Sequence, residues 1–396
     1  MSKILIVGDC HIGKGLSIGK PGIGNTLNSR VIDQIKLLNF VIETATENEV
    51  SHIIFTGDIF EDSRPEPQLI NIFINVIKIC EAHDIEVHIV AGNHDMEITG
   101  GHISSVLDII EAFKLPKTYL YKQIDTIYID KIGITLMPFR DRTSLGCKSN
   151  TEAVNKIIEQ LPYELQSIPS YYDKLIVGHL SIAGAMYVGD EVDDLANEIM
   201  MPADSFVGYD YVWMGHVHKP QVLSKKMPYV AHIGSLDISD FGETDHTKIL
   251  ILYDNNNKNK FTQLPVPTRN LHHIKINVPK KSQSTEYVIK KINDYNNSNS
   301  IENSIIKINV KLTDEELENI DRKKIENKIY ELKAFHVASL SESRSKIKIN
   351  NDKKTNIDQS ITPKEAIKLF TKKLIFDNEK DKSTYKSYAL EVINSI

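Results

Sequence analysis

A chain of 396 residues is too long for one ordinary domain, so we expect a large domain with one or two smaller units. Apolar residues make up 41% and charged residues 25%, and no apolar run approaches the roughly 18 residues that span a bilayer. The formal net charge of −6 argues weakly against a nucleic-acid partner, so any such contact must come from local charge and bound metal.

The N-terminus and the cysteines indicate a cytoplasmic protein, and no membrane partner is expected. The apolar run in MSKILIVGD is too short for a signal peptide and is better explained as a buried first strand. Cys10, Cys80 and Cys147 have no paired spacing, which suits a reducing compartment and excludes a cysteine-ligated zinc site.

Residues 1–265 alternate short apolar runs with helical patterns. The first part predicts strands at 3–7, 51–56 and 85–91, with helices at 30–48 and 68–83. The later part predicts mainly strands, at 126–129, 133–137, 174–177, 211–214, 229–233 and 248–253. Near-continuous apolar strands separated by helices are typical of sheets covered on both faces. We predict an α/β fold in which two stacked β-sheets are flanked by helices.

Three further segments follow this domain. Residues 270–340 show a β-α-β-α pattern that predicts a small α+β domain, and residues 341–360 are polar and aperiodic, which is typical of a flexible linker. Residues 361–396 begin with a capping box, Thr362-Pro363-Lys364-Glu365, and continue with an apolar helical face. Such a helical segment has no core of its own, so it either docks on a partner or packs back on the body.

Five short polar segments each follow a predicted apolar strand. They are Gly8-Asp9-Cys10-His11, Gly57-Asp58, Gly92-Asn93-His94-Asp95, Gly178-His179 and Gly215-His216-Val217-His218. Site residues gather at the carboxyl ends of strands in α/β sheets because the loops converge there. The glycines permit tight exits from the strands and close approach of the backbone to a ligand. Other histidines, such as His52 and His88, lack this context and are expected to be structural.

These segments supply seven oxygen or imidazole donors and no sulfur donor. The donors are Asp9, His11, Asp58, Asn93, His179, His216 and His218. One ion rarely takes seven protein ligands, whereas two ions that share a bridging carboxylate leave positions open for water and phosphate. Mixed carboxylate and imidazole donors favour Mn, Fe or Zn over Mg or Ca. Two such ions about 3.5–4 Å apart can clamp a phosphodiester and activate water.

The segments GDCHIG, GDIF, GNHD, GHL and GHVH together resemble the calcineurin-like metallophosphoesterases over roughly residues 1–250. The stretches SRPEP (63–67), HKPQ (218–221) and DFGE (240–243) resemble, more narrowly, the SbcD family of DNA repair nucleases. That resemblance implies a Mn²⁺-dependent exonuclease and endonuclease that acts on DNA, as a homodimer, with an SbcC-like coiled-coil ATPase. It also implies that residues 270–340 cap the DNA and that residues 361–396 dock on the ATPase.

The same resemblance implies roles for individual residues. One metal ion would take Asp9, His11, Asp58 and His218, and the other would take Asp58, Asn93, His179 and His216, with Asp58 bridging. His94 matches the family's catalytic histidine, which contacts the scissile phosphate and protonates the leaving oxygen. Asp95 is expected to orient His94 or its loop, or to be a simple turn carboxylate.

One position departs from the family pattern. Cellular members usually have a histidine directly after the Gly-Asp-x-Phe run, where this chain has Glu61. That position is associated with seating the DNA strand for exonuclease cutting, so the balance of exonuclease and endonuclease activity is expected to differ. Lys14, Arg64 and Lys219 lie near the ligands in the sequence and are further candidates for contacts with DNA phosphates.

Two other functions stay open at this point. A phosphoprotein phosphatase or small-molecule phosphodiesterase of the same fold would need the metal cluster but not residues 270–396, and the SRPEP, HKPQ and DFGE stretches tell against it. A non-catalytic DNA-end-binding scaffold is disfavoured because all seven donors and His94 are present.

Overall fold

The computed structural model describes residues 2–24, 26–99, 102–188, 198–279, 282–312 and 320–344, together with Tyr385 and Ser387. The strands are β1 (Lys3–Val7), β2 (His52–Phe55), β3 (Glu86–Val90), β4 (Met96–Thr99), β5 (His102–Ser105), β6 (Thr118–Tyr121), β7 (Asp125–Ile129), β8 (Ile132–Met137), β9 (Asp173–Gly178), β10 (Ser181–Ile182), β11 (Met200–Met201), β12 (Tyr211–Met214), β13 (Gln221–Ser224), β14 (Tyr229–His232), β15 (Ile249–Asp254), β16 (Phe261–Pro265), β17 (Leu271–Asn277), β18 (Ile305–Leu312) and β19 (His336–Arg344). The helices are α1 (Ser29–Glu47), α2 (Pro67–Ala82), α3 (Asp108–Ala112), α4 (Asn150–Ser167), α5 (Ser284–Ser298) and α6 (Arg322–Glu331).

The larger part of the chain forms two stacked six-stranded sheets. The first has the strand order β16-β15-β1-β2-β3-β6, and the second has the order β13-β14-β12-β9-β8-β7. Side chains alternate along each strand, so Ile4 and Ile6 of β1 pack between the sheets with Trp213, while Leu5 and Val7 point to the opposite face. The near-continuous apolar runs of the central strands follow from this burial of both faces.

Helices cover the outer face of each sheet. α1 and α2 pack on the first sheet through Leu37, Val41 and Phe73, and α4 packs on the second through Ile157 and Leu161. Burial of one such side chain stabilises the fold by about 1.5–3 kcal/mol relative to its exposure. The layers therefore run helix, sheet, sheet, helix, which confirms the predicted two stacked β-sheets flanked by helices.

Parallel pairing brings the carboxyl ends of the central strands to one edge of this sandwich. Val7 of β1 lies opposite Phe55 of β2, and Phe55 lies opposite Ile89 of β3. In the second sheet, Met214 of β12 lies opposite Gly178 of β9. The polar segments begin within a few residues of these positions, so the strand register alone places them side by side.

The small domain is a three-stranded parallel sheet, β17-β18-β19, with α5 and α6 packed on one face. Its strands and helices alternate along the chain, as in the predicted β-α-β-α pattern, and β19 adds a further strand after α6. β19 continues to Arg344, and residues 341–344 therefore belong to this sheet and not to a linker. The prediction was wrong there because Ser339 and Ser341 pair with the polar residues Lys307 and Asn309 on the uncovered face, which gives the strand a linker-like composition.

The two domains meet through an apolar cluster and an ion pair. Phe241 of the large domain packs with Leu271 and Ile305 of the small one. Arg269, which precedes β17, donates to Asp33 of α1 with an Nη2–Oδ1 distance of 2.6 Å. The remaining predicted linker (345–360) and the predicted docking segment (361–396) lie outside the described residues, apart from Tyr385 and Ser387.

Within the described ranges, no helix combines the length and apolar character needed to cross a membrane.

Candidate metal centre

The five polar segments meet at the carboxyl ends of β1, β2, β3, β9 and β12. The chain turns sharply there, and His11, Asp58 and His216 have positive φ angles of 43°, 46° and 77°. This conformation is uncommon for residues with a side chain, and each instance costs on the order of 1 kcal/mol or more. The fold therefore accepts local strain at three of the seven predicted donors.

Glycines let the carboxylates lie directly against the backbone. A Cβ atom at Gly92 would lie 2.1 Å from Asp58 Oδ1, and one at Gly215 would lie 2.2 Å from Asp9 Oδ1. No side chain fits at such distances without displacing the carboxylate. The sequence predicts that the backbone at these glycines lies close to a ligand. In the structure the backbone lies close to the carboxylates of Asp58 and Asp9.

Asp9, His11 and His218 form a first group of donors, and all three are buried. His11 Nε2 lies 2.9 Å from His218 Nε2 and 3.5 Å from Asp58 Oδ2. Metal bonds of about 2.0–2.2 Å place neighbouring ligand atoms roughly 3 Å apart, so these spacings suit the shell of one ion. Asp9 is held from its other side by the backbone N–H of His216, which donates to Oδ2 at 2.7 Å.

Asp58, Asn93, His179 and His216 form the second group. His179 Nε2 lies 3.2 Å from Asp58 Oδ2 and 2.9 Å from Asn93 Oδ1, and His216 Nδ1 lies 3.0 Å from Asn93 Oδ1. Asp58 Oδ2 thus lies between the two groups, in the position of a bridging ligand. Burial by itself would raise the pKa of Asp58, but His179, His94 and His11 surround the carboxyl and hold its pKa well below the usual range.

His94 lies beside this cluster at the wall of a cleft of about 600 Å³. Its backbone N–H donates to Asp58 Oδ1 at 2.9 Å, and its ring Nδ1 donates to the carbonyl oxygen of Glu61 at 2.7 Å. With Nδ1 occupied in this way, Nε2 is the nitrogen left to face a substrate.

Asp95 does not touch the ring of His94 in any described contact; it joins two loops of the site. Its buried Oδ1 accepts hydrogen bonds from the backbone N–H groups of Ile59 and Phe60 at 2.9 and 3.2 Å. Its Oδ2 accepts one from the N–H of Gly92 at 3.1 Å. Of the two roles expected for Asp95, the contacts favour orientation of the loop.

Replacing Asp95 with alanine is expected to lower the free energy of unfolding by about 3 kcal/mol or more, because three buried N–H donors lose their acceptor. Asp95→Asn should lose less, since one oxygen can still accept from Ile59 and Phe60. Denaturant unfolding of the metal-free protein measures both values. A loss below about 1 kcal/mol for Asp95→Ala would show that the loops hold together without this residue.

Three of the histidines have a partner on the ring nitrogen that points away from the cluster. The carbonyl oxygen of Thr56 lies 3.0 Å from His179 Nδ1, Glu198 Oε1 lies 2.8 Å from His216 Nε2, and Glu243 Oε1 lies 3.1 Å from His218 Nδ1. The inward nitrogens are therefore presented as acceptors, as metal ligands require. With two carboxylates, an amide oxygen and four imidazoles, the donor set fits divalent ions such as Mn²⁺.

Two carboxylates of this outer layer were not predicted as part of the site: Glu198 was assigned no role, and Glu243 entered only as the end of DFGE. Glu198 lies 18 positions from His216, in no motif, so no local signal marks it. Burial alone would raise the pKa values of both carboxyls. The hydrogen bonds from His216, Ser181 and Tyr187 lower the pKa of Glu198 to about 2, and those from His218 and Lys248 lower the pKa of Glu243 to about 2.

Glu61 is partly buried at the wall of the cleft, and its carboxylate lies against the first group of donors. Its Oε2 lies 2.8 Å from His11 Nδ1, although the ring is not aligned for a hydrogen bond, and its Oε1 accepts from Lys14 Nζ at 3.1 Å. Burial would raise the pKa of Glu61, but His11 and Lys14 lower it to about 2. Lys14 is itself buried, which argues against the predicted direct contact of this lysine with a DNA phosphate.

The other two candidate DNA contacts lie outside the cluster. Arg64 is exposed and pairs with Glu97, with an Nη2–Oε1 distance of 2.7 Å. Lys219 Nζ lies 3.9 Å from Asp245 Oδ2. The cleft itself is lined by the acids Glu61, Asp62, Asp141 and Glu198, with Arg142 as the cation among its described lining residues. A polyanion would therefore meet repulsion in this cleft unless bound cations offset the charge.

Comparison with known proteins gives a consistent result. The calcineurin-like phosphoesterase family model matches residues 2–220. SbcD of the nuclease SbcCD from Escherichia coli is 23% identical over 285 residues, which cover 67% of this chain and 68% of that protein. The protein of the same name from Staphylococcus epidermidis is 22% identical over 284 residues, with coverage of 69% and 71%.

A DNA double-strand break repair protein Mre11, from Methanopyrus kandleri, is 24% identical over 220 residues, which cover 54% of this chain and 44% of that protein. The resemblance seen in the short motifs is confirmed by these matches. Because the family model spans more than half of the sequence, including all five strand-end segments, the chain belongs to the calcineurin-like phosphoesterase family.

Proposed function

We propose that this protein is a two-metal DNA nuclease. The ions, Mn²⁺ by preference, are held by Asp9, His11, Asp58 and His218 and by Asp58, Asn93, His179 and His216. The observation that carries the proposal is the position of Asp58 Oδ2, 3.5 Å from His11 Nε2 and 3.2 Å from His179 Nε2, between two groups of inward-facing donors. DNA as the substrate rests on the relatives, whose names are those of nucleases and of a strand-break repair protein.

When bound, two divalent ions supply Lewis-acid polarisation of the phosphoryl oxygen and activation of the attacking water. The chain's own residues arrange the reaction around them. Asp58 is fixed by the backbone N–H of His94, and the carbonyl oxygen of Thr56 fixes the ring of His179, so these two donors are in place before substrate arrives. The acidic side chains of the cleft repel a phosphodiester unless bound metal cations offset their charge. Substrate binding, and not only the chemical step, therefore depends on the metal ions.

His94 is assigned as the general acid. Its Nδ1–H donates to the carbonyl oxygen of Glu61, and this bond fixes the plane of the ring. In the doubly protonated ring, Nε2–H can then give its proton to the leaving 3′ or 5′ oxygen, and the neutral ring that remains keeps its Nδ1–H bond to Glu61.

The small domain offers a surface for the DNA duplex. The sheet face that α5 and α6 leave uncovered carries Lys275, Lys307 and Lys311 at alternating positions of β17 and β18. Lys307 Nζ lies 5.5 Å from the ring of Phe241, in the loop that also supplies Glu243, so this face begins near the metal cluster. Backbone contacts from such lysines give salt-sensitive binding without sequence preference, despite the overall charge of −6.

We also propose that the protein acts as a homodimer with an SbcC-like coiled-coil ATPase, which docks on residues 361–396. The support for the ATPase partner is the name of the two SbcD relatives, each a subunit of the SbcCD nuclease, and the capped amphipathic pattern of residues 361–396 in the sequence. A cytoplasmic location follows from the same proposal, since the DNA and the ATPase are there.

The deciding experiment compares linear duplex DNA with a chromogenic phosphate ester, both with Mn²⁺ and with or without the ATPase partner. We expect DNA cleavage that depends on Mn²⁺ and increases with the partner. Turnover of the ester without any cleavage of DNA would support a phosphatase or small-molecule phosphodiesterase instead. DNA binding without cleavage of either substrate would support a non-catalytic scaffold.

Changing Glu61 to histidine is expected to raise the ratio of exonuclease to endonuclease activity. The variant has the family's usual residue at this position. It also lacks the carboxylate that accepts a hydrogen bond from Lys14 and lies next to the ring of His11. The hydrogen bond to His94 survives, because it uses the backbone oxygen of residue 61. Assays on linear duplex and on circular single-stranded DNA give the ratio, and Glu61→Gln is the control that lacks an imidazole. An unchanged ratio would remove the reason for giving Glu61 a part in strand placement.

A further inference from the structure

The two histidines of the GHVH segment face opposite groups of donors. His216 presents Nδ1 toward Asn93, whereas His218 presents Nε2 toward His11. The two rings therefore use different nitrogens toward the cluster. An imidazole can bind an ion through either nitrogen, so something must select the correct one at each position.

A carboxylate lies behind each of these rings. Glu198 Oε1 is 2.8 Å from His216 Nε2, and Glu198 Oε2 accepts from the hydroxyl groups of Ser181 and Tyr187 at 2.6 and 2.9 Å. Both oxygens of Glu198 are thus engaged, and the carboxylate has a single orientation. It comes from a loop beyond β10, not from the strand ends that carry the ligands.

Glu243 occupies the equivalent place behind His218. Its Oε1 lies 3.1 Å from His218 Nδ1, and its Oε2 accepts from Lys248 Nζ at 2.8 Å. Lys248 also donates to the carbonyl oxygen of His218 at 2.9 Å, so the ring and its backbone are held by one buried ion pair. This gives the last residue of the DFGE stretch a physical role.

We propose that Glu198 and Glu243 are positioning residues, one for each metal ion of the centre. Glu198 accepts a hydrogen bond from His216 Nε2–H and leaves Nδ1 as a ligand of the ion held with Asn93. Glu243 accepts a hydrogen bond from His218 Nδ1–H and leaves Nε2 as a ligand of the ion held with His11. The inference rests on the metal assignment of the proposed function. Its specific content is that each carboxylate acts on one ion and not on the other.

The division follows from the contacts. Glu198 touches His216 and none of the described donors of the first group, and Glu243 touches His218 and none of the described donors of the second group. Loss of an outer partner of a metal-bound histidine typically weakens metal affinity 10–100-fold, because the ring is then free to rotate or to protonate the wrong nitrogen. A carboxylate that only stabilised the fold would instead affect both ions or neither.

The test measures Mn²⁺ binding to the full-length purified chain by calorimetry and by electron paramagnetic resonance, without DNA. Wild type should bind two ions and show the spectrum of a coupled pair. Glu198→Ala should weaken one site 10–100-fold, leave the other within about twofold, and show isolated Mn²⁺ at sub-saturating metal. Glu198→Gln should recover most of the affinity, since its amide oxygen can still accept from Nε2–H.

Two further variants sharpen the result. Glu243→Ala should weaken the other site selectively, and its thermal unfolding is recorded because Ala leaves the buried charge of Lys248 unpaired. Asp62→Ala, which removes an acid of the same cleft without a contact to a ligand histidine in the described residues, should leave both sites unchanged. Unchanged affinity in Glu198→Ala, equal losses at both sites, or no recovery in Glu198→Gln would each overturn the inference. Two intact Mn²⁺ sites without DNA cleavage would contradict the proposed function and leave this inference standing.

Discussion

Replacing His94 with alanine is expected to slow DNA cleavage by a factor of about 100 to 10,000, the usual contribution of a general acid. The metal ions should remain bound, because the contact of residue 94 with Asp58 uses the backbone N–H and not the ring. Cleavage rates at saturating Mn²⁺ and a Mn²⁺ titration measure the two quantities. His83→Ala, which removes an exposed histidine at the end of α2, is the matched control and should behave as wild type.

The leaving group distinguishes a general acid from a residue that only shapes the cleft. An ester with a nitrophenolate leaving group needs no proton, so His94→Ala should lose much less activity on it than on DNA. Equal losses on both substrates would contradict the assignment of His94 as the proton donor and would favour a role in binding the phosphate.

Replacing Asp58 with alanine should lower the rate of hydrolysis of every substrate on the order of 1000-fold or more. A 1000-fold loss corresponds to about 4 kcal/mol of transition-state stabilisation. Asp58 is the donor shared by both groups, so its loss should weaken both ions at once. This contrasts with the one-sided effect expected for Glu198. Mn²⁺ binding and DNA cleavage by the variant are measured. In the wild type, removal of the metal with a chelator should cause the same loss of activity, and addition of Mn²⁺ should restore it.

The control for this variant is Asp62→Asn, which alters a carboxylate in the same loop that lines the cleft but lies in neither group of donors. It should retain near-normal metal binding. If Asp58→Ala kept one ion at full affinity, Asp58 would be a ligand of a single metal and the bridge would be wrong.

The central sandwich was predictable because its strands are buried on both faces. The apolar runs at 3–7 and 211–214 coincide with β1 and β12. The sequence did not predict α4 and β16, which are partly exposed and have weaker apolar patterns. α4 carries its apolar contacts on few positions and contains Pro162, and β16 (FTQLP) lies at the edge of its sheet, where alternation is weak.

The candidate site was predictable only as far as its residues follow strands. The seven predicted donors and His94 were identified because each closely follows a predicted strand, and in the structure they lie close together. The roles of Glu198 and Glu243 and the side-chain contacts of Glu61 were not predicted, because each contact joins two loops that are distant in the sequence. His52 and His88, expected to be structural, hydrogen-bond to each other across β2 and β3 at 3.2 Å, and burial lowers the pKa of both.

The most direct test of the paired metal centre is a crystal structure of the protein soaked in Mn²⁺, with the ions located by their anomalous scattering. Two peaks are expected about 3.5–4 Å apart, with the carboxylate of Asp58 between them, and with His11 and His218 at one ion and His179 and His216 at the other. A single peak at the strand ends, or a peak at His52, Glu86 and His88 instead, would contradict a two-metal centre bridged by Asp58.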